Sequence, residues 1–209
     1  MAEQAQARKK RRPHRREEIL TAAARLFAEK GYHATGMDDI GAAAGITGPA
    51  IYRHFKSKED ILDTLMIERL TAVVARADEI VSEAPTPAGA LEGLVQLYVE
   101  TVLDNPAMGH VGVFERRTLR PEIRSVVERA ERHYFEDWVH ALSQVRPELN
   151  DAEARVVVQA ATGLGLMGAT YRSGLDRDVL EPLLVSMMMR ALAVERPRAR
   201  ARTPRSATA

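Results

Sequence analysis

The chain has 209 residues, of which 45% are hydrophobic and 28% charged, so it can bury a core and is not disordered throughout. It contains no cysteine, which excludes disulfide frameworks and thiolate metal sites and favours a reducing cytoplasm. No apolar run approaches the roughly 18 residues of a membrane span, and the basic amino terminus lacks the apolar stretch of a secretory signal. We therefore expect a cytoplasmic protein without membrane contact.

Positive charge is concentrated at the two ends of the chain. Residues 1–16 carry seven Lys or Arg against Glu3, a net +6, and residues 195–209 carry five Arg against Glu195, a net +4. Because the whole chain sums to +1, the residues between these ends carry −9. Basic ends on an acidic body are typical of a protein whose ends meet phosphate. On charge alone a nuclear-import signal explains the first end equally well.

The first predicted helix covers about residues 15–30. Its apolar stripe consists of Ile19, Ala23, Leu26 and Phe27, and Gly31 can end it. We expect this helix to hold the following segment in place.

Two short helical patterns then follow with almost no connector. The first covers residues 37–44, has Thr35 or Gly36 as its cap, and places acidic residues in the first turn, where the helix dipole favours them. Gly45 supplies a left-handed stop. Thr47 can cap the second helix by accepting a backbone N–H with its hydroxyl.

The second short helix has an apolar side and a polar side. Ile51 and Phe55, four residues apart, face inward, and Pro49 is tolerated in the first turn because its missing N–H would have no partner there. A helix, a tight glycine turn and a second helix with a polar outer face form the helix-turn-helix that reads DNA. The alternative from these two helices alone is an ordinary helical hairpin.

Residues 35–58 and the segments beside them resemble the DNA-binding domain of the tetracycline-repressor (TetR) family. Residues 19–32 are similar to that family's first helix, and residues 51–62 to its recognition helix leading into helix four. The resemblance implies an all-α fold of about nine helices. It also implies a basic arm at 1–13, expected to be disordered and to lie along a DNA groove. A three-helix DNA-binding domain at 14–73 and a helical ligand-binding and dimerisation domain at 74–194 follow. A disordered basic tail occupies 195–209.

The resemblance also implies which residues meet DNA. Tyr52, His54 and Lys58 stand where the family grips phosphates. Thr35 and Thr47 are further candidates for phosphate contacts, and Lys56 is one on charge. Base readout should be modest because Gly48, Pro49 and Ala50 have no side-chain donor. Asp38 either accepts from a cytosine amine or points away. The full predicted set is Arg15, Thr35, Gly36, Met37, Asp38, Thr47, Gly48, Pro49, Ala50, Tyr52, Arg53, His54, Lys56 and Lys58.

The rest of the chain predicts six further helices. Ser57 resembles the start of a capping box with Asp60 in place of the usual Glu or Gln. Proline, asparagine and glycine residues separate these helices, which cover about residues 58–81, 88–103, 107–118, 121–145, 151–172 and 176–194.

As the family works, the middle helices should enclose a pocket for a small-molecule effector. The cluster of Arg116, Arg117 and Arg120 near its mouth indicates an acyl-CoA or another apolar anion, although a solvated face is the favoured explanation of these arginines. The predicted lining of the pocket is Leu65, Tyr98, Met108, Phe114, Arg117, Tyr134, Trp138, Met167 and Tyr171; each could equally be plain core. The resemblance implies a homodimer through the last two helices, which independently carry more apolar surface than one buried stripe needs. The predicted interface is Val157, Leu164, Met167, Leu180, Leu183, Leu184, Met187 and Met188.

Two constellations resemble other chemistry. The glycines Gly163, Gly165 and Gly168 spell a dinucleotide fingerprint, but they lie within a helical run with no strand before it, which favours a small-residue face for close helix packing. His133, Glu136 and His140, with Asp137 nearby, could be drawn as a metal site, but an ordinary amphipathic helix is favoured. We therefore predict no metal, no cofactor and no catalytic residue.

The sequence thus predicts a ligand-responsive transcriptional regulator, most simply a repressor that binds a pseudo-palindromic operator as a homodimer. The alternatives are a constitutive DNA-binding protein without an effector, and an enzyme that uses the helical fold. The enzyme alternative requires titratable groups that converge in a cavity, and the sequence offers no such set.

Overall fold

A computed structural model of the chain describes residues 2–104 and 116–193, and within these ranges it is helical without a strand. The all-α fold class is therefore confirmed. The helices are α1 Ala2–Lys30, α2 Met37–Ala43, α3 Gly48–Ile51, α4 Lys58–Glu83, α5 Pro87–Asp104, α6 Pro121–Val145, α7 Asp151–Thr170 and α8 Arg177–Ala193, with a 3-10 turn at Arg116–Thr118. Most of the helix predicted at 107–118, and the tail 195–209, lie outside the described residues.

The first helix is longer than predicted. It begins at Ala2 rather than near residue 15, so the segment that we expected to be a disordered arm is helical from residue 2. Alanine, glutamine, lysine and arginine dominate this segment, and all four have high helix propensity. The predicted end is confirmed: Gly31 adopts φ 81° and donates its N–H to the Phe27 carbonyl at 3.0 Å.

An N-terminal core holds the three short helices together. The stripe of α1 packs on Ile40, Ile51 and Phe55 and on the first turns of α4. Two residues from much later in the chain, Leu119 and Val127, complete this core. The unit around the helix-turn-helix therefore includes the start of α6.

A second core lies among α5, α6, α7 and α8 and the later part of α4. Trp138 is fully buried there, and the rings of Tyr98 and Tyr134 contact it edge-on at centroid distances of 6.0 and 6.1 Å. The boundary that we predict near residue 73 falls inside α4, which contributes side chains to both cores.

Asp63 and Arg120 join α4 to the start of α6. The Asp63 carboxylate is 4% exposed and forms an ion pair with the Arg120 guanidinium, which remains 55% exposed. The hydrogen bond that Arg120 donates to the Asp63 carboxylate raises the pKa of Arg120. This pair lies beside Leu119, so it closes the N-terminal core at the point where α6 enters it.

The glycines of α7 have the packing role that we predicted. A Cβ at Gly165 would lie 2.5 Å from the Met188 Sδ and 3.1 Å from a Tyr98 ring carbon, and one at Gly168 would collide with Leu184. These two glycines let α8 approach α7 closely, whereas Gly163 is exposed and has nothing within 4 Å of such an atom. The dinucleotide interpretation finds no support, since the motif lies wholly inside a helix. Across the described ranges, no helix is long and apolar enough to cross a membrane.

Candidate nucleic-acid interface

The turn between α2 and α3 is fixed by backbone contacts. Gly45 has φ +66°, and its N–H bonds the Ala42 carbonyl at 3.1 Å, while the Ile46 N–H reaches the Gly41 carbonyl at 2.9 Å. Gly41 is buried, and a Cβ there would contact the Ile46 carbonyl at 3.4 Å. A left-handed residue is needed at the stop, and a small one where α2 crosses the start of α3.

The second helix of the motif is short and continues as turns. After Ile51, the His54 and Phe55 N–H groups both donate to the Ile51 carbonyl, at 2.9 and 3.0 Å. Ile51 and Phe55 are buried as predicted. Thr47 is the N-cap, but its hydroxyl makes no capping hydrogen bond, so the predicted side-chain cap is wrong. The Thr47 carbonyl accepts the first bond instead, and the exposed hydroxyl stays available to a ligand.

The side chains that we predict to meet DNA form an outward-facing surface, which we call the reading surface. Tyr52 is 56% exposed, and Arg53 and Lys56 are exposed beside it. The remaining exposed members are Gly36, Asp38, Thr47 and Pro49, and the half-buried ones are Met37, Gly48, Ala50 and His54. The Asp38 side chain lies against Gly48 at the first turn of α3, where the helix dipole favours an anion.

Two of the predicted phosphate contacts have structural roles instead. Thr35 is 1% exposed, and its hydroxyl donates to the Gly31 and Leu26 carbonyls at 2.9 and 3.3 Å, so it cannot reach a phosphate as expected. The Lys58 ammonium donates to the Tyr32 and Thr35 carbonyls at 2.7 Å each and lies 4.3 Å from the Tyr32 ring centroid. Lys58 therefore ties α4 to the loop after α1.

Arginines of α1 attach that helix to the rest of the unit around the helix-turn-helix. Arg15 donates to the Ala44 carbonyl at 3.3 Å and pairs with Glu18 at 2.7 Å, so it stands at the edge of the reading surface. Arg16, which sequence reasoning did not single out, forms an ion pair with Glu68 and lies 5.0 Å over the Phe55 ring.

A second candidate site is a largely apolar, open cavity of about 160 Å³ between α4, α5 and α6, which we call the effector cavity. Two predicted residues, Tyr98 and Tyr134, line it. Sequence reasoning missed the other lining residues, which are Met66, Arg69, Leu70, Val73, Thr101, Val102 and Glu131. A neighbouring cleft of about 350 Å³ includes the predicted Leu65 and shares Arg69, Val73 and Thr101 with the cavity.

The other predicted lining residues lie elsewhere. Trp138 is buried behind Tyr98 and Tyr134, and Arg117 is exposed. Met167 and Tyr171 are 55% and 73% exposed, so their assignment to the pocket is wrong. The reason for Tyr171 is that α7 ends at Thr170, which leaves this ring outside the bundle. Met108 and Phe114 lie outside the described residues.

The two last helices present an exposed apolar face, which we call the α7–α8 face. Its exposed members are Val156, Met167, Tyr171, Leu175, Val179, Leu183 and Met187. Val157, Leu164 and Leu180 are half-buried. Leu184 and Met188, which we predicted at the interface, are buried within their own chain against α7, so they cannot be direct contacts with a partner.

His133, Glu136 and His140 of α6, which could be drawn as a metal site although an ordinary amphipathic helix is favoured, each contact a different group. Glu136 pairs with Arg155 at 2.6 Å, and His140 bonds Gln144 at 2.6 Å. His133 instead lies 3.0 Å from Asp78 of α4, and Asp137 completes a group whose donor atoms fall within 4.8 Å of one another. Burial raises the pKa of Asp137. Because two of the three groups are exposed, the arrangement is that of an ordinary surface ion pair.

Comparison with known proteins agrees with this geometry. The sequence profile of the bacterial regulatory proteins of the tetR family matches residues 19–65. The chain is 34% identical over 143 residues to the HTH-type transcriptional repressor KstR2 of Mycobacterium tuberculosis, covering 65% of this chain and 72% of that protein. The solved structure of the ketosteroid transcriptional regulator KstR2 of Mycobacterium tuberculosis is 28% identical, with a TM-score of 0.75 and coverage of 86% and 93%. The structure of AibR in complex with isovaleryl coenzyme A and operator DNA shares the fold at 22% identity, with a TM-score of 0.68 and coverage of 83% and 97%.

Proposed function

The chain belongs to the tetR family of bacterial regulatory proteins, and we propose that it is a repressor that binds a pseudo-palindromic operator as a homodimer and releases it when a small molecule binds. The observation that carries this proposal is the reading surface. Tyr52, Arg53 and Lys56 project from the turns that follow α3, and the inner side of this segment is fixed to the core by Ile51 and Phe55. Donors on a segment that the core holds in place are what a recognition element needs to dock in a major groove.

Within the reading surface, phosphate contacts should outweigh base contacts. The Tyr52 and Thr47 hydroxyls and the Lys56 ammonium supply donors for phosphate oxygens, with His54 beside them. Pro49 can only pack against a thymine methyl group. Affinity should therefore fall steeply as salt rises.

The homodimer is supported by the α7–α8 face. Met167, Leu183 and Met187 are each more than two-fifths exposed, and such clustered apolar surface is costly to leave in water. Pairing two copies through this face buries it and sets two reading surfaces on a two-fold axis. Half-sites on the operator should then lie about 34–36 Å apart, or a multiple of that distance.

The effector is proposed to bind in the effector cavity. Met66 and Leu70 line the cavity and also pack into the N-terminal core, so a ligand that displaces them changes the packing beneath the reading surface. The names of the two relatives refer to a ketosteroid and to isovaleryl coenzyme A. We carry over only the broad class, an apolar molecule or apolar anion such as an acyl-CoA. Such a ligand shifts the equilibrium by its differential affinity for the two states.

A constitutive DNA-binding protein without an effector is the second candidate, and one experiment separates the two. The full chain is titrated onto DNA from upstream of its own gene, with a shuffled fragment as control, and the complex is then challenged with apolar acids, their CoA thioesters and matched alcohols. Preference for the native fragment and release by one compound class support the repressor; preference without release supports the constitutive protein. Equal binding of both fragments would contradict either. We propose no catalytic role and no cofactor for the protein. We also propose that it acts in the cytoplasm, where its operator DNA lies.

A further inference from the structure

The effector cavity is apolar except at a few positions, and two of those positions hold unused hydrogen-bond donors. Most of its wall comes from Met66, Leu70, Val73 and Val102. Among the polar lining groups, the Thr101 hydroxyl already donates to the Leu97 carbonyl at 2.7 Å and the Tyr98 hydroxyl to the Thr162 carbonyl at 2.9 Å. Arg69 and Tyr134 are the donors that remain.

Tyr134 holds a buried hydroxyl without a partner. Its side chain is 4% exposed, and within the described ranges its hydroxyl proton has no acceptor. The indole N–H of Trp138 approaches the Tyr134 oxygen, but an N–H only donates and leaves the hydroxyl proton unpaired. Burial raises the pKa of Tyr134, so its hydroxyl is a neutral donor at physiological pH. An unpaired buried donor is costly, and a ligand acceptor in the cavity would satisfy it.

Arg69 is a half-buried cation that forms no ion pair with the residues that the structure describes. Burial lowers the pKa of Arg69, and Asp104 partly offsets this effect. Asp104 itself is bound to Arg177 at 2.5 Å, and Arg69 forms no ion pair or hydrogen bond of its own with the described residues. Arg69 also lines both the effector cavity and the neighbouring cleft. A guanidinium in this position favours a planar anion that can accept two hydrogen bonds.

From these two donors we infer that the effector is an apolar molecule with a single free carboxylate, whose oxygens accept from the Arg69 guanidinium and the Tyr134 hydroxyl. This inference rests on the proposed effector function of the cavity. Glu131, the acidic residue of the lining, opposes a second negative charge on the ligand.

The neighbouring cleft favours the free acid over its CoA thioester. Glu17, Glu68 and Asp104 line that cleft, next to the Arg69 end of the cavity. Glu68 and Asp104 are paired with Arg16 and Arg177, so repulsion of the coenzyme A phosphates would come mainly from Glu17 if the thioester extended in that direction. A compact acid places its one charge at Arg69 and leaves the cleft empty.

Calorimetry on the full chain without DNA tests the inference. The probes are decanoate and phenylbutyrate, the matched alcohols decanol and phenylbutanol, and decanoyl-CoA. The variants are Arg69→Met, Tyr134→Phe and, as a control in the same cavity, Tyr98→Phe, whose hydroxyl is already paired. We expect at least one acid to bind more tightly than its alcohol. Arg69→Met and Tyr134→Phe should each weaken the acid about ten- to a hundredfold, and Tyr98→Phe less than about threefold.

The outcomes separate this inference from the proposed function. Binding of alcohols as tight as acids, equal losses in all three variants, binding of decanoyl-CoA in preference to the acids, or no binding of either acid would overturn the carboxylate assignment. Release of operator DNA by a neutral or CoA-linked compound would support the proposed repressor function and contradict the carboxylate assignment. Acid binding that depends on Arg69 and Tyr134 but leaves operator affinity unchanged would support the site and contradict the proposed regulation.

Discussion

Lys56 and Lys58 are two residues apart and should respond oppositely when their charge is removed. Lys56 is exposed, and we find no partner for its ammonium among the described residues. In Lys56→Met each subunit should lose one phosphate contact without losing stability. One contact contributes about 0.9 to the slope of log affinity against log salt, so a symmetric dimer should lose about 1.8.

Lys58→Met should instead destabilise the unit around the helix-turn-helix. The ammonium makes two charge-assisted hydrogen bonds of 2.7 Å to carbonyls and a cation–π contact with Tyr32. Removing such groups costs roughly 1.5–3 kcal/mol for a hydrogen bond to a charged group and roughly 0.5–1 kcal/mol for the cation–π contact. Because Lys58 is half-buried and the losses overlap, we expect the free energy of unfolding to fall by about 2–4 kcal/mol.

Three measurements distinguish the two lysines. Urea unfolding followed by far-UV circular dichroism gives stability, and hydrogen exchange in residues 19–62 locates the loss. Filter binding across a salt series gives the slope. Fluorescence of Trp138, the single tryptophan, reports the C-terminal core separately. A stable Lys58→Met protein with a slope reduced by about 1.8 would refute the structural role of Lys58. An unchanged slope in Lys56→Met would refute the reading surface.

Three further predictions test the joint between the cores, the dimer and the buried tyrosine. Arg120→Ala should lower Tm by stranding the Asp63 carboxylate, and adding Asp63→Asn should restore part of the loss; a further drop in the double variant would contradict this. Leu183→Glu with Met187→Glu should give monomers by sedimentation and weaken operator binding; intact dimers would exclude the α7–α8 face. Burial raises the pKa of Tyr98 to about 12. The neutral Tyr98 therefore contributes to the free energy of unfolding in full below the unfolded pKa of about 10. That contribution, roughly 2–3 kcal/mol, is lost as the pH rises from about 10 to about 12. Urea unfolding at high pH should show a shallower loss in Tyr98→Phe, and equal losses would contradict the assignment.

The helix-turn-helix could be predicted because its signals are local. Ile51 and Phe55, the stop at Gly45 and the end of α1 at Gly31 depend on spacing and backbone preference within a few residues. Lys58 could not be assigned from sequence, because the carbonyls that it bonds belong to Tyr32 and Thr35, far back in the chain.

The interface and the cavity were harder for a related reason. Helix α8 is apolar around much of its circumference, so its sequence does not say that Leu184 and Met188 face α7 while Leu183 and Met187 face outward. The cavity is created where α4, α5 and α6 cross, and crossing geometry is not encoded by periodicity within any one of them. Arg69 was overlooked because a charged residue on a long helix is ordinarily solvated.

The insertion of Leu119 and Val127 into the N-terminal core bears on how members of this family can be recombined. A chimeric sensor joined inside α4 would pack the DNA-binding unit of one protein (the head) against α6 side chains that come from another protein. Shape mismatch at those two positions would then weaken the head even where every base-reading residue had been transplanted correctly. Functional exchange of heads should require the first turns of α6 to travel with them, as a second, discontinuous piece of the graft.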